Sequence, residues 1–153
     1  MKKLMIVSLL LLLLVACQNK GNTEDAQQDE EIPTSQEKED IPPVYLDETN
    51  YTGDELEIVK LMNARMRYLY ERDEKGYMSL IDPESPVSGM AGSKVRKIIS
   101  MDEIIIQEQK KLYQGVVTIT ELRENDEEAS HIMVFWKKKE DGDNAQWIFA
   151  DID

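Results

Sequence analysis

The side chains that could do chemistry are few, and each has a competing structural role. His131 is the only histidine. As a general base it would need an orienting carboxylate and a substrate cavity. It stands at the start of an expected strand, just after the polar run at 124–128, which points it toward solvent rather than a site. One histidine and one cysteine do not make the usual ligand set of a transition metal. Asp141-Gly142-Asp143-Asn144 has the composition of a calcium loop. It lacks the spaced acids and closing glutamate, and a hairpin turn explains it with less. Ser79, Ser85, Ser88 and Ser93 include no Gly-x-Ser-x-Gly elbow. Ser88-Gly89-Met90-Ala91-Gly92-Ser93 lacks the lysine of a phosphate loop, so it reads as a connector or, more sharply, a lid.

Several apolar residues could line a cavity or fill a core. Met62, Met66, Met78, Met90, Met101 and Met133 suit irregular gaps or an adaptable pocket. Trp136 and Trp147 lie on strands expected to be neighbours, where two indoles could stack or face a pocket. Tyr77, Trp136 and Trp147 are therefore the candidate pocket-lining residues, with core packing as the alternative for the indoles. Lys137-Lys138-Lys139 is a basic island, either a solvated strand end or a contact for anionic wall polymer or lipid headgroups. No catalytic, metal-binding or cofactor-binding residue is assigned, and no cofactor is implied.

The remaining reactive side chain is Cys17, the only cysteine. It closes a leader with Lys2 and Lys3 as a positive start, an apolar run over residues 4–16, and the small residue Ala16 before the cysteine. That is the build of a secretory signal. The run falls short of the roughly 20 residues a membrane span needs, which argues against an uncleaved anchor helix. Leu14-Val15-Ala16-Cys17 resembles a bacterial lipobox. The resemblance implies cleavage between Ala16 and Cys17 and a diacylglyceryl thioether on Cys17. It also implies lipid anchoring on the extracytoplasmic face of the cell membrane. Once Cys17 is acylated, no thiol remains for a disulfide or a nucleophile, so the core alone must hold the fold.

Charge and composition divide the rest. The net charge is −13, and the leader holds two lysines, so the chain from residue 17 onward stands at −15. Residues 18–53 and 54–153 carry −8 and −7 of it. Phosphate binding needs clustered Lys and Arg, so nucleic acid is excluded as a partner. Residues 17–50 are acidic and nearly free of apolar side chains before residue 41, and read as a disordered, extended tether. Ile41, Val44 and Leu46 give its end a patch that could dock on the domain. Residues 51–153 suffice for one small domain.

The elements of that domain follow from periodicity. Thr52 and Glu55 fit a capping box, opening a helix over residues 54–72. Ile58, Val59, Met62, Met66, Leu69 and Tyr70 form its apolar face, with Asn63 among the outward residues. Asp73 can cap a shorter helix through Ile81, ended by Pro83. Ser93 can cap a third, through Val95, Ile98 and Ile99. Strands are expected from Ile104, over residues 113–122, through Ile132, Val134 and Trp136 with Met133 and Phe135 opposite, and over residues 147–152. The class is α+β: two to three N-terminal helices packed on a curved antiparallel sheet of about four strands.

Tyr68-Leu69-Tyr70 with Tyr77-Met78-Ser79-Leu80-Ile81-Asp82-Pro83 resembles the paired N-terminal helices of the nuclear-transport-factor-2-like superfamily, which is cystatin-like and includes ketosteroid-isomerase-like enzymes. Gln146-Trp147-Ile148-Phe149-Ala150-Asp151 is similar to its closing strand. The resemblance implies a cone, a bent sheet wrapped over helices and often enclosing a pocket. Similar domains occur in extracytoplasmic proteins of Gram-positive bacteria. The enzymes use pocket carboxylates and a tyrosine; no spacing here selects among Asp82, Asp102, Asp151, Tyr68, Tyr77 and Tyr113, and none is carried over. The expected function is a non-enzymatic binding or accessory module of the bacterial cell envelope. Its expected partner is an envelope protein or cell-wall component, and a homodimer is an open alternative. The alternative function is a small-molecule carrier or isomerase-like enzyme using the cone.

Overall fold

The long helix α1 spans Gly53–Glu71. Thr52 occupies the N-cap in extended conformation, but its side chain makes no capping hydrogen bond. The first-turn acids Asp54 and Glu55 instead place negative charge at the helix N-terminus, where the backbone dipole favours it. Arg72 ends the helix in the left-handed region at φ 59°. Asp73 then caps α2, Glu74–Met78, by accepting from the Gly76 N–H at 2.9 Å. The computed structural model describes residues 41–153; the leader, the lipobox with Ala16 and Cys17, and the tether before residue 41 lie outside the described residues.

Five strands follow: β1 Val95–Met101, β2 Ile105–Glu108, β3 Leu112–Arg123, β4 Glu128–Lys138 and β5 Trp147–Ile152. All pair antiparallel, in the order β1-β3-β4-β5, and the sheet is not closed. β2 pairs with the same β3 strand, Ile105 opposite Val116 and Glu108 opposite Tyr113. β1 takes the other half of that edge, Met101 opposite Ile119 and Val95 opposite Arg123. The two are halves of one broken edge strand. Across the break, the Asp102 N–H still donates to the Thr118 carbonyl at 2.9 Å.

β1 corrects the short helix expected after Ser93, and it brings the sheet to five strands rather than about four. The reason is in its register, which shifts between Val95 and Lys97 and again between Ile98 and Ser100. Each bulge inserts a residue and breaks the alternation of faces. Val95, Ile98 and Met101 therefore all meet the core. Inward residues three apart are what a helix face also shows.

The core lies between α1 and one sheet face. Ile58, Val59, Met62, Met66 and Leu69 are 0–1 % exposed, as the helical spacing requires. They meet Val117 and Ile119 of β3, Met133 and Phe135 of β4, and Phe149 of β5. The Phe135 and Phe149 rings lie 4.6 Å apart across paired strands. Gly115 sets how closely helix and sheet approach: a Cβ there would stand 2.7 Å from Ile58 Cδ1.

Two further corrections concern chain on either side of α1. α2 stops at Met78 rather than Ile81, because the chain beyond bonds to β5. Phe149 N–H donates to Leu80 C=O at 2.8 Å, and Asp82 N–H to Phe149 C=O at 2.7 Å. Asn63, expected to face out, is covered by residues 43–50. Its side chain accepts from the Leu46 N–H at 2.9 Å and donates to the Leu46 carbonyl at 3.0 Å. Pro43 is buried, Leu46 packs against the core and the Val44 N–H donates to the Arg96 carbonyl at 2.7 Å, so the chain at 43–46 attaches to the folded part, while the Ile41, Val44 and Tyr45 side chains stay exposed.

Candidate functional site

Along β3, Val117 and Ile119 face the core, so the alternation carries Glu121 to the same face. Along β4, Phe135 and Met133 face in, and parity brings His131 with them. On α1, Arg65 lies three residues after Met62 and four before Leu69, on the buried stripe. Sheet and helix thus add a polar layer beyond the apolar one. The Arg65 and Glu121 side chains are 4 % and 2 % exposed and meet at 2.9 Å, Nη1 donating to Oε2. The other carboxylate oxygen lies 3.2 Å from His131 Nε2 and 3.5 Å from Arg123 Nε.

His131 Nε2 also lies 3.2 Å from Arg123 Nη2. One ring nitrogen donates to the carboxylate or accepts from the guanidinium, not both, so the choice of partner sets the tautomer. Arg65 Nε is buried and has no hydrogen-bond partner among the described residues. A buried donor without an acceptor carries a desolvation cost of about 1–3 kcal/mol.

This cluster lines a cavity of about 380 Å³ together with Tyr77 and the loop bearing Val87 and Gly92. The Ser88–Ser93 stretch, read as a connector or lid, forms its wall. Arg72 pins the loop by donating to the Gly92 carbonyl at 2.6 Å while reaching Glu124 at 3.4 Å.

The opposite end of β4 holds a second group of charges. Asp82 is 2 % exposed. It accepts from the Glu84 N–H at 2.8 Å and pairs with Lys138 at 2.9 Å. Burial pushes its pKa up, but the Glu84 amide and the Lys138 ammonium outweigh it, and the net shift is downward. Asp54 accepts from both Lys137 Nζ and Trp147 Nε1 at 2.9 Å. Burial again opposes and these two donors prevail, lowering the Asp54 pKa. The hydrogen bond to Asp54 raises that of Lys137. Lys139 reaches Glu108 Oε1 at 2.6 Å and the Gln109 carbonyl at 2.7 Å. The basic island is therefore engaged residue by residue, tying the end of β4 to α1, the turn at Asp82 and β2.

The three candidate pocket residues separate. Tyr77, 3 % exposed, lines the Arg–Glu–His cavity. Trp147, 4 % exposed, lines a cavity of about 340 Å³ beside Asp82 and Lys138. Trp136 pairs with Ile148 and Gln114 on the outer face of the sheet, opposite in parity to the core residues Met133 and Phe135. The two indoles do not stack. His131, expected at solvent, instead faces inward beside Glu121 and is half-buried, its side chain 16 % exposed. Arg65, Glu121 and Arg123 were not singled out from sequence. Parity with Ile119 and Met133 was the signal that could have found Glu121 and His131.

Asp141 and Gly142 lie in a 3-10 segment, Lys139–Asn144, where Gly142 takes a positive φ of 55°. Among the described residues no three His, Cys, Asp or Glu side chains converge as a metal site, and no helix is long and apolar enough to cross a membrane. Comparison with protein-family models, with curated proteins and with solved structures finds no match.

Proposed function

We propose that this chain is a lipid-anchored binding module on the extracytoplasmic face of a bacterial cell envelope, and that the Arg65–Glu121–Arg123–His131 cavity is where it binds an envelope component. The anchoring part rests on the lipobox-like Leu14-Val15-Ala16-Cys17. The binding part rests on one observation: a cavity of about 380 Å³ sits over a polar layer whose carboxylate is already engaged. Ligand cavities fall in a range from about 300 Å³ upward and carry a few fixed polar groups. We also propose the kinship with nuclear-transport-factor-2-like domains and a cone-shaped sheet. Helices preceding an antiparallel sheet support it, as do the register shifts in β1 and between β4 and β5, since bulges bend sheets.

An isomerase-like enzyme is the second reading, favoured by Tyr77, Glu121 and His131 lining one cavity. Against it, Glu121 contacts two guanidinium groups and an imidazole. A carboxylate so occupied is poorly placed to take a proton from a substrate.

The test separates anchor from module. Cys17→Ala should abolish labelling by a fatty-acid probe and leave the precursor uncut. Mixed with isolated envelopes, the chain from residue 18 onward, which carries neither leader nor lipid, should still co-sediment, and Arg123→Gln in it should release it. If the chain from residue 18 onward fails to sediment, the domain is not a binding module. If it and its Arg123→Gln variant sediment equally, the cavity is not the binding site.

A further inference from the structure

We infer that the cavity beside β3 and β4 recognises a free carboxylate on a small ligand, held by the guanidinium groups of Arg65 and Arg123. This rests on the binding-module reading and names its ligand class. The donors in the cavity exceed its acceptors. Each guanidinium has five N–H groups, and a carboxylate offers two oxygens. Among the described residues, Glu121 is the single buried carboxylate there. One of its oxygens serves Arg65 and the other is shared between His131 and Arg123. Arg65 Nε is left without a partner among the described residues. Glu127 offers Arg123 only a contact of 3.7 Å from a half-exposed side chain.

A planar anion completes such a site. The guanidinium fork matches a carboxylate with two parallel hydrogen bonds, whereas an ammonium would act as a point charge. Charge sets the limit on the ligand. Arg65 and Arg123 are balanced by Glu121 and by Asp153, which lines the same cavity, so these formal side-chain charges sum to zero. A carboxylate is therefore held by the unused guanidinium donors rather than by net charge, and a polyphosphate is not favoured. The rest of the wall is small: Val87, Gly89, Ala91 and Gly92 leave room for short side chains. The carboxylate end of a short peptide and a free small acid share this chemistry, and the experiment distinguishes them.

The full chain is titrated with acetyl-alanyl-alanine, with its C-terminal amide, and with acetate. Binding is followed by NMR through the imidazole signals of His131, the chain's only histidine. The acid should move these signals, and the amide should bind at least about tenfold more weakly, a difference of about 1.4 kcal/mol. Saturation by the dipeptide acid but not by acetate identifies a peptide end; comparable saturation by both identifies a free small acid. Arg123→Gln should weaken acid binding by a similar factor. Should that variant unfold, Arg123→Lys serves instead: it keeps the charge, loses the fork, and should still bind the acid several-fold more weakly. Equal binding of acid and amide, or no shift of His131 with any of the three, overturns the inference. Envelope retention that still depends on Arg123 would then leave the module reading standing with a different ligand.

Discussion

Glu121 and Asp82 are two carboxylates buried to nearly the same depth, 1 % and 2 % exposed, at opposite ends of β4. Their surroundings differ in kind. Asp82 is met by a backbone amide two residues on and by one lysine whose side chain is 30 % exposed. That arrangement is local and complete; it fixes the turn after α2, which hydrogen-bonds to β5. Glu121 has no backbone donor among the described residues. Its partners are side chains brought from α1, β3 and β4, and together they offer more donors than it can accept. Burial alone therefore does not mark a binding site. Nor does open volume, since both carboxylates line a cavity; what marks the site is burial with donors to spare.

The largest effect that could break this contrast is at Glu121. Glu121→Gln removes the one buried negative charge between Arg65 and Arg123, leaving Arg65 with its side chain 4 % exposed and no counter-ion. Breaking a buried pair by removing one partner costs about 3–5 kcal/mol. Urea unfolding of wild type and variant measures it. A cost under about 1 kcal/mol, the scale of exposed pairs, would mean that water already reaches the cluster. The two carboxylates would then no longer differ.

Asp82→Ala should cost less, about 1–3 kcal/mol, the range for a buried donor left unmade. The Glu84 N–H loses its acceptor, but Lys138 can turn its ammonium to water. A loss as large as that at Glu121 would show that Lys138 is held in place as firmly as Arg65. The same urea measurement ranks the two.

Much of this architecture was legible in the sequence. The face of α1 was, since Ile58, Met62, Met66 and Leu69 keep a helical period that only a core explains. So was the meander from β3 to β5, with its polar turns and alternating residues. β1 was not, because two bulges give a strand the inward spacing of a helix. Asn63 was not, because its cover comes from residues 43–50, whose composition belongs with the tether. The candidate site was half legible. The sequence points to Tyr77 as pocket-lining, while the polar run before His131 points that side chain to solvent. The parity that places Glu121 and His131 inward was present, yet charged side chains read as solvated until a partner is known. Arg65 is that partner, 56 residues away in sequence. Pairings of that separation leave no local pattern to read.

The smallest effect sharpens the comparison through pH. Asp82 has a pKa lowered from the ordinary aspartate value of 3.8 in spite of burial, because the Glu84 amide and Lys138 favour its charged form. Asp54 is lowered likewise by Lys137 and Trp147. A carboxyl group whose folded pKa is depressed binds protons more weakly folded than unfolded. Its contribution to stability is complete above the unfolded value and is lost as pH falls through the folded one. Wild-type stability should therefore decline in acid, from about pH 5 downward, partly through these two groups. In Asp82→Asn the side-chain carbonyl can still accept from the Glu84 N–H, while the proton-linked part is gone. The variant should start less stable at neutral pH and lose less on acidification, so the two curves converge. Thermal unfolding followed across that range provides the reading. Parallel curves would mean that Lys138 and the Glu84 amide stabilise the charged form of Asp82 no better in the folded chain than water does in the unfolded one. The complete local pairing that sets Asp82 apart from Glu121 would then be geometry without energetic consequence.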